Sequence, residues 1–312
     1  MRTMILRNLL ILVLFGWLLI SCEEEFTPIV EASPPDIVVE GYIEGGDNAT
    51  MPYVILTRSI PFFSEIDLNQ VEGFFVRDAE ITVKTENRTV ILEEFCLSEL
   101  TEAQRGIVGE LFNIQSDSTG LDFCVYIDPT FSLSGDEGTT YNLEVKVDDK
   151  LITASTLLPF KSELSNYAFF DLPGVSNDTL RELRVTLNDP ANEANFYRYF
   201  TSINDEGMLA PLQSVVNDLF FDGDQFELPL AKAESGDVDF DLDTYGYYTV
   251  GDTVDIKFCT IDEAHYDFWS TLEFNRANQG PFSSYTAISY NTTGAIGIWG
   301  GYSCSIKRLI VE

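Results

Sequence analysis

Tyr141-Asn142-Leu143-Glu144-Val145-Lys146-Val147 alternates an apolar with a polar side chain at every step. A period of two places Tyr141, Leu143, Val145 and Val147 on one face of a strand and the polar residues on the other. Asp148-Asp149-Lys150 follows and Leu151–Leu157 resumes the strand pattern, which predicts a hairpin closed by a tight polar turn. The same signal extends towards the N-terminus. Ala79–Thr85 and Thr89–Glu93 flank Glu86-Asn87-Arg88 as a second hairpin, and Ile37–Ile43 and Tyr53–Ile60 flank the loop Gly45-Gly46-Asp47-Asn48. Short strands joined by polar turns predict a mainly β chain that opens, over residues 37–158, with an immunoglobulin-like β-sandwich. Residues 94–123 break this rhythm and read as a long inserted loop.

Leu158-Pro159-Phe160 reads as a junction to a second β-rich domain, sandwich- or barrel-like, over residues 159–312. Strands are expected at Glu182–Leu187, Asn195–Ile203, Gln225–Leu230 and Asp252–Thr260. Two more, Ala295–Trp299 and Ser303–Val311, are expected on either side of Gly300-Gly301. This domain carries one amphipathic helix, residues 261–278. Thr260 and Glu263 have the spacing of a capping box, and Ile261, His265, Phe268 and Leu272 form an apolar stripe at helical spacing. Gly280-Pro281 ends it.

The first 21 residues have the form of an export signal. Arg2 and Arg7 precede an apolar run from Leu9 to Ile20, well short of the roughly 20 residues that span a bilayer. Leu19-Ile20-Ser21-Cys22 matches a bacterial lipobox, so cleavage is expected before Cys22, with acylation of its thiol and new amino group. Several acyl chains hold a protein on a bilayer far better than one, at roughly 0.8 kcal/mol per buried CH₂. Residues 22–36 read as an acidic, proline-rich tether containing Glu23-Glu24-Glu25, Pro28, Pro34 and Pro35. The expected location is the outer membrane, lipid-anchored and facing the cell surface, with the periplasmic face as the alternative. Setting Cys22 aside, the remaining four cysteines, Cys96, Cys124, Cys259 and Cys304, form an even set in an exported chain, which predicts two disulfides. Three connectivities are open. Cys96–Cys124 with Cys259–Cys304 keeps each bridge within one half of the chain.

The 312 residues carry 18 basic and 51 acidic side chains, a formal charge of −33 that repels phosphate backbones and excludes nucleic acid as a partner. The single histidine, His265, excludes polyhistidine metal centres and leaves any triad one possible base. Its place on the helix stripe predicts partial burial with a hydrogen bond. Asp237, Asp239, Asp241 and Asp243 lack the glycine and glutamate that a twelve-residue calcium loop needs, and read as the solvated face of a strand. Phe221-Asp222-Gly223-Asp224 reads as a turn. Ser283 and Ser284 lack the surroundings of a nucleophile elbow. No catalytic residue, metal ligand or cofactor is assigned. Among the aromatics, Tyr245, Tyr247, Tyr248 and Trp299 lie beside glycines or in an acidic loop and are the candidates for an exposed ligand platform.

Several pieces in order resemble one family. They are Val38-Val39-Glu40-Gly41, Asn188-Asp189-Pro190 leading into Asn195-Phe196-Tyr197-Arg198-Tyr199, and Phe221-Asp222-Gly223. Gly251-Asp252-Thr253-Val254, Tyr266-Asp267-Phe268, Gly280-Pro281-Phe282-Ser283 and Gly294-Ala295-Ile296-Gly297 complete the set. The chain resembles a family of Bacteroidota lipoproteins known only as a domain of unknown function and commonly encoded beside TonB-dependent outer-membrane receptors. The resemblance implies a β-rich, extracytoplasmic, lipid-anchored protein with a part in outer-membrane uptake or assembly. It supplies no catalytic residues. The expected role is that of a noncatalytic accessory to a TonB-dependent receptor. The alternative is receptor-independent binding of a glycan or peptide.

Overall fold

The computed structural model describes residues 36–60, 73–112, 122–172, 178–235, 241, 243–278 and 286–312. The export signal, Cys22, the tether up to residue 35, Asp237, Asp239, Ser283 and Ser284 lie outside them.

The chain is mainly β, as its alternation predicts. In the first half, β1 (Ile37–Gly46), β2 (Tyr53–Arg58), β3 (Glu80–Lys84) and β4 (Thr89–Cys96) lead to helix α1 (Glu102–Phe112). The strands β5 (Cys124–Ile127), β6 (Thr140–Val147) and β7 (Lys150–Leu157) come next. The β6–β7 turn lies where the sequence puts it. Asp148 and Asp149 both have positive φ, 51° and 58°, the backbone of a two-residue hairpin turn whose twist matches the flanking strands. Helix α1 departs from the expected loop: the stretch 94–123 contains the end of β4 and this helix as well as loop.

The second half holds β8 (Leu164–Asp171), β9 (Leu180–Asn188), β10 (Phe196–Ile203), β11 (Val215–Asn217), β12 (Gln225–Leu230) and β13 (Tyr248–Thr249). After β14 (Thr253–Ile261) come helix α2 (Glu263–Ala277), β15 (Thr292–Thr293) and β16 (Ile296–Ile310). A twelve-stranded sheet runs β11-β10-β14-β16-β1-β2-β5-β4-β3-β6-β7-β15, and β8, β9, β12 and β13 form a second sheet. The large sheet therefore crosses the division expected at Leu158-Pro159. The last strand, β16, lies parallel to the first, β1, from Val38↔Ile296 to Gly46↔Cys304, and residues 35–312 form one compact unit. Long-range parallel pairing leaves no local signature, which is why a junction based on local composition missed it.

β16 also corrects the expectation of two short strands. It continues unbroken through Gly300 and Gly301. A Cβ at Gly300 would sit 2.6 Å from the His265 ring, so the bare backbone there is a seat for α2 rather than a strand break.

Among the described residues the strands enclose three cores. The first lies inside the curl of β1–β7, where Ile37, Val39 and Ile43 meet Ile81, Leu143, Ile152 and Trp299. The Thr156 hydroxyl accepts from Gly301 N (2.9 Å), and the Asn291 side-chain amide donates to Ser155 O and Trp299 O, which ties β7 back to β16. The second core lies between the two sheets, with Leu183, Val185 and Leu187 of β9 against Tyr197, Tyr199, Ile256 and Phe258. The third lies beneath α2 and contains Tyr42, Ile298, Tyr302 and the Cys259–Cys304 pair. Both disulfides have the connectivity that keeps each bridge in one half, Cys96–Cys124 and Cys259–Cys304. Each joins directly paired residues of neighbouring strands, β4 to β5 and β14 to β16.

Candidate functional site

The seat of α2 is built from its first turn. The expected cap, Thr260, is the penultimate residue of β14, where its hydroxyl accepts from Ser162 N (3.0 Å). The N-cap is Asp262 instead. One carboxylate oxygen accepts from His265 N (2.9 Å), and the other accepts from the Thr156 hydroxyl (2.7 Å) and Leu157 N (2.9 Å). The same carboxylate thus starts the helix and fixes it to β7. Glu263 in the first turn and Arg276 in the last suit the helix dipole.

His265 is fully buried, stacked on Tyr42 with ring centres 5.7 Å apart and edge-on to Tyr302 at 4.5 Å. Its Nδ1 lies 3.2 Å from Gly301 O, as the stripe predicted in kind, while Nε2 has no partner among the described residues. Burial pushes the imidazole down to about 3 from 6.5; the Arg198 charge adds to this, and the Gly301 carbonyl opposes it. The ring is neutral in the folded chain and takes up a proton only when released. Stability from this group is therefore complete above pH 6.5 and falls as the pH drops from 6.5 towards 3, by about 1.4 kcal/mol per unit. Urea titrations at pH 7.5 and 5.5 are expected to differ by roughly 1 kcal/mol on this account, and His265→Gln should flatten that difference.

Between α2 and the sheet lies a groove. Strand alternation sends Ile37, Val39 and Ile43 into the first core and Val38, Glu40, Tyr42 and Glu44 to the opposite face, under the helix. An apolar cavity of ≈ 320 Å³ is lined by Val38, Phe268, Trp269, Leu272, Ile288 and Tyr290. It shares Glu40, Tyr42 and Trp269 with an adjoining cavity of ≈ 240 Å³ that adds Arg198, Phe200, Lys257 and Tyr302.

Arg198 is the unusual residue of this groove. It sits in the middle of the aromatic strand Phe196-Tyr197-Arg198-Tyr199-Phe200 and is only 4% exposed. Its guanidinium carbon lies 3.4 Å from the centre of the Trp269 ring and 4.7 Å from that of Phe200. Nε donates to the Ser214 hydroxyl (3.0 Å) and Nη1 to the Tyr302 hydroxyl. Ser214 in turn donates its backbone N–H (2.9 Å) and its hydroxyl to the buried carboxylate of Glu273 on α2. Among the described residues no carboxylate forms an ion pair with Arg198, and its Nη2 has no hydrogen-bond partner. Lys257 is neutralised by Glu44 at 2.6 Å. Glu40 opens to solvent at the mouth of the groove yet is walled by protein. Burial raises its carboxyl above the usual range, against the pull of Arg198 and Arg276.

The aromatic residues chosen from sequence lie elsewhere. Trp299 and Tyr248, expected to be exposed, are fully buried. Trp299 fills the first core and donates Nε1 to Tyr141 O (3.0 Å), and Tyr248, on β13 beside β9, packs edge-on against Phe169. Neighbouring glycines exposed neither; covering elements distant in sequence did the burying. Tyr245 and Tyr247 are half-buried, and the Tyr245 hydroxyl accepts from Leu212 N (2.9 Å); neither lines the groove. The signal that sequence reading passed over is Arg198, a permanent charge on the helix-facing side of an apolar strand.

The acidic segments are structural in their contacts. Asp222-Gly223-Asp224 is a turn as expected, with Gly223 at φ +75°. Carboxylate oxygens of Asp189, Asp218 and Asp222 lie within 4.8 Å of one another and bind the loops around them. Asp189 accepts from the Tyr197 hydroxyl (2.6 Å) and Gly223 N (3.0 Å), and Asp218 accepts from Asn195 N (2.8 Å). Asp241 and Asp243 lie at a turn rather than on a strand, and Asp241 accepts from Asp243 N (3.0 Å).

A comparison with curated proteins finds no match. The family described as a domain of unknown function, DUF4249, matches residues 23–308, most of the chain, and the chain belongs to that family.

Proposed function

We propose that this chain is a noncatalytic, lipid-anchored binding protein of the outer membrane that serves as an accessory to a TonB-dependent receptor. The observation that carries the binding role is the groove under α2, where an apolar, aromatic-walled cavity adjoins a buried arginine that forms no ion pair among the described residues. Concave, mostly apolar clefts with a few convergent polar groups are the usual form of small-ligand sites. The anchor rests on the lipobox ending at Cys22, and surface orientation rests on Glu23-Glu24-Glu25. Among the described residues no helix is long and apolar enough to cross a membrane, so the reading relies on acyl chains for attachment.

Cys22→Ala is expected to move the protein almost entirely from the membrane fraction to the soluble fraction; unchanged membrane retention would remove the acyl anchor from the proposal. Affinity purification of the wild-type protein from its native membranes in mild detergent should recover an outer-membrane receptor. A second reading, receptor-independent capture of a glycan or peptide, is favoured by the groove being built wholly within one chain. Repeated recovery of the protein alone would select that reading.

A further inference from the structure

The groove has donors without acceptors. Arg198 Nη2 and the Tyr42 hydroxyl both belong to residues that line it, and neither has a hydrogen-bond partner among the described residues. Tyr42 is 6% exposed, and burial together with Tyr302 and Glu40 holds its phenol well above its ordinary range, so it is a neutral donor. Trp269, shared by both cavities, has a buried Nε1 that also lacks an acceptor among the described residues. Glu40 lies close enough to feel the Arg198 charge but does not pair with it. A largely buried guanidinium without a directly bonded carboxylate is costly, and a ligand that supplies one recovers part of that cost as affinity.

We propose that the groove binds organic carboxylates, whose acid oxygens accept from Arg198 Nη2 and the Tyr42 hydroxyl while an apolar body lies along Phe268, Leu272 and Tyr290. The inference rests on the groove being a ligand site and adds the class of ligand. Bonds from Nε to Ser214 and from Nη1 to Tyr302 hold the Arg198 guanidinium in place and leave Nη2 to donate to a carboxylate oxygen. A phosphate dianion is disfavoured. Lys257 is already neutralised by Glu44, and Glu40 and Glu44 line the same wall, which leaves Arg198 alone in that cavity to face a doubly charged group. The adjoining apolar cavity of ≈ 320 Å³ has room for a ring or short aliphatic chain, which free phosphate would leave empty.

Isothermal titration calorimetry on the full chain in mild detergent tests this with N-acetyl-phenylalanine, 4-phenylbutyrate and indole-3-acetate. Each is run against its neutral amide, and inorganic phosphate is run alone. The acids are expected to bind at least about tenfold more tightly than their amides, with phosphate weaker than any of the acids. Tyr42→Phe keeps the ring in its stack and removes only the hydroxyl, so it should fold and weaken the acids about fivefold, and the amides, whose neutral carbonyl accepts more weakly, by less. Equal binding of acid and amide would overturn the carboxylate assignment while leaving an apolar ligand site in place. Tighter binding of phosphate would overturn it in favour of a phosphoryl ligand. Failure of every acid and amide would overturn it and take the groove out of the proposed function, leaving receptor co-purification as that function's separate test.

Discussion

Gly297→Ala is expected to cost about 3–5 kcal/mol of folding stability, a large loss for one added methyl group. Gly297 lies in β16 with φ +123°, a backbone that side chains with a Cβ rarely adopt, opposite Val39 in the parallel β1–β16 pair. An added Cβ would sit 1.9 Å from Val39 O and 2.8 Å from the Val39 carbonyl carbon. Those atoms are main chain held in the sheet, so they cannot rotate away, and relief requires the two strands to part. β1 and β16 join the first and last parts of the chain, so local relief loosens both the first core and the floor of the groove. Gly207→Ala is the matched control. Gly207 has φ +101° but open space around its Cα, so it carries backbone strain without collision and should cost only about 1–2 kcal/mol. Urea titrations of both variants check this; equal losses would show that collision with β1 is not what matters at Gly297.

Arg198→Met should cost about 2–4 kcal/mol and abolish measurable binding of an acid ligand. The thioether replaces much of the side-chain volume but none of the donors. The Ser214 and Tyr302 hydroxyls each lose a charged partner in a buried setting, and the Trp269 face loses a cation stacked at 3.4 Å. Glu273 keeps its two bonds from Ser214 but loses the positive charge beyond them. The His265 ring should respond as well. With the Arg198 charge gone, one of the two causes holding its protonation down disappears, so the acid-side loss of stability spans a narrower range. Thermal melts at pH 7.5 and 5.5 alongside calorimetry separate these effects. A variant as stable as wild type would mean that the Arg198–Ser214–Glu273 network contributes nothing net.

Local features were legible in the sequence, and features made by distant pairing were not. The hairpin 140–157 could be placed because strict alternation fixes which face is buried and Asp148-Asp149 tolerates positive φ. The even cysteine count led to two bridges, and the observed connectivity joins residues paired in register. His265 could be placed on a buried stripe because helical spacing is a local property. The parallel β1–β16 pair spans the whole chain and could not. Gly300-Gly301 looked like a break because the sequence does not show the ring that packs on it. Asp262 displaced Thr260 as the cap because β14 runs one residue past the threonine, and Ser162 N claims its hydroxyl. Trp299 could not be recognised as buried because its burial depends on residues far off in the chain, such as its bonding partner Tyr141, 158 positions away. Only Arg198, a charge set within four aromatics on one strand, advertised the groove locally.

The most direct test places a ligand in the groove by the response of its indole. The expected cleavage before Cys22 removes Trp17, so the mature protein labelled with ¹⁵N-tryptophan carries indole N–H groups at Trp269 and Trp299, assigned by substituting Trp269. Trp269 lines both cavities with an Nε1 unpartnered among the described residues, whereas Trp299 Nε1 is bonded to Tyr141 O inside the first core. Titration with N-acetyl-phenylalanine is predicted to shift the Trp269 resonance to saturation and leave Trp299 in place. A Trp269 resonance that stays fixed while calorimetry records binding would put the ligand elsewhere and contradict a site beneath α2.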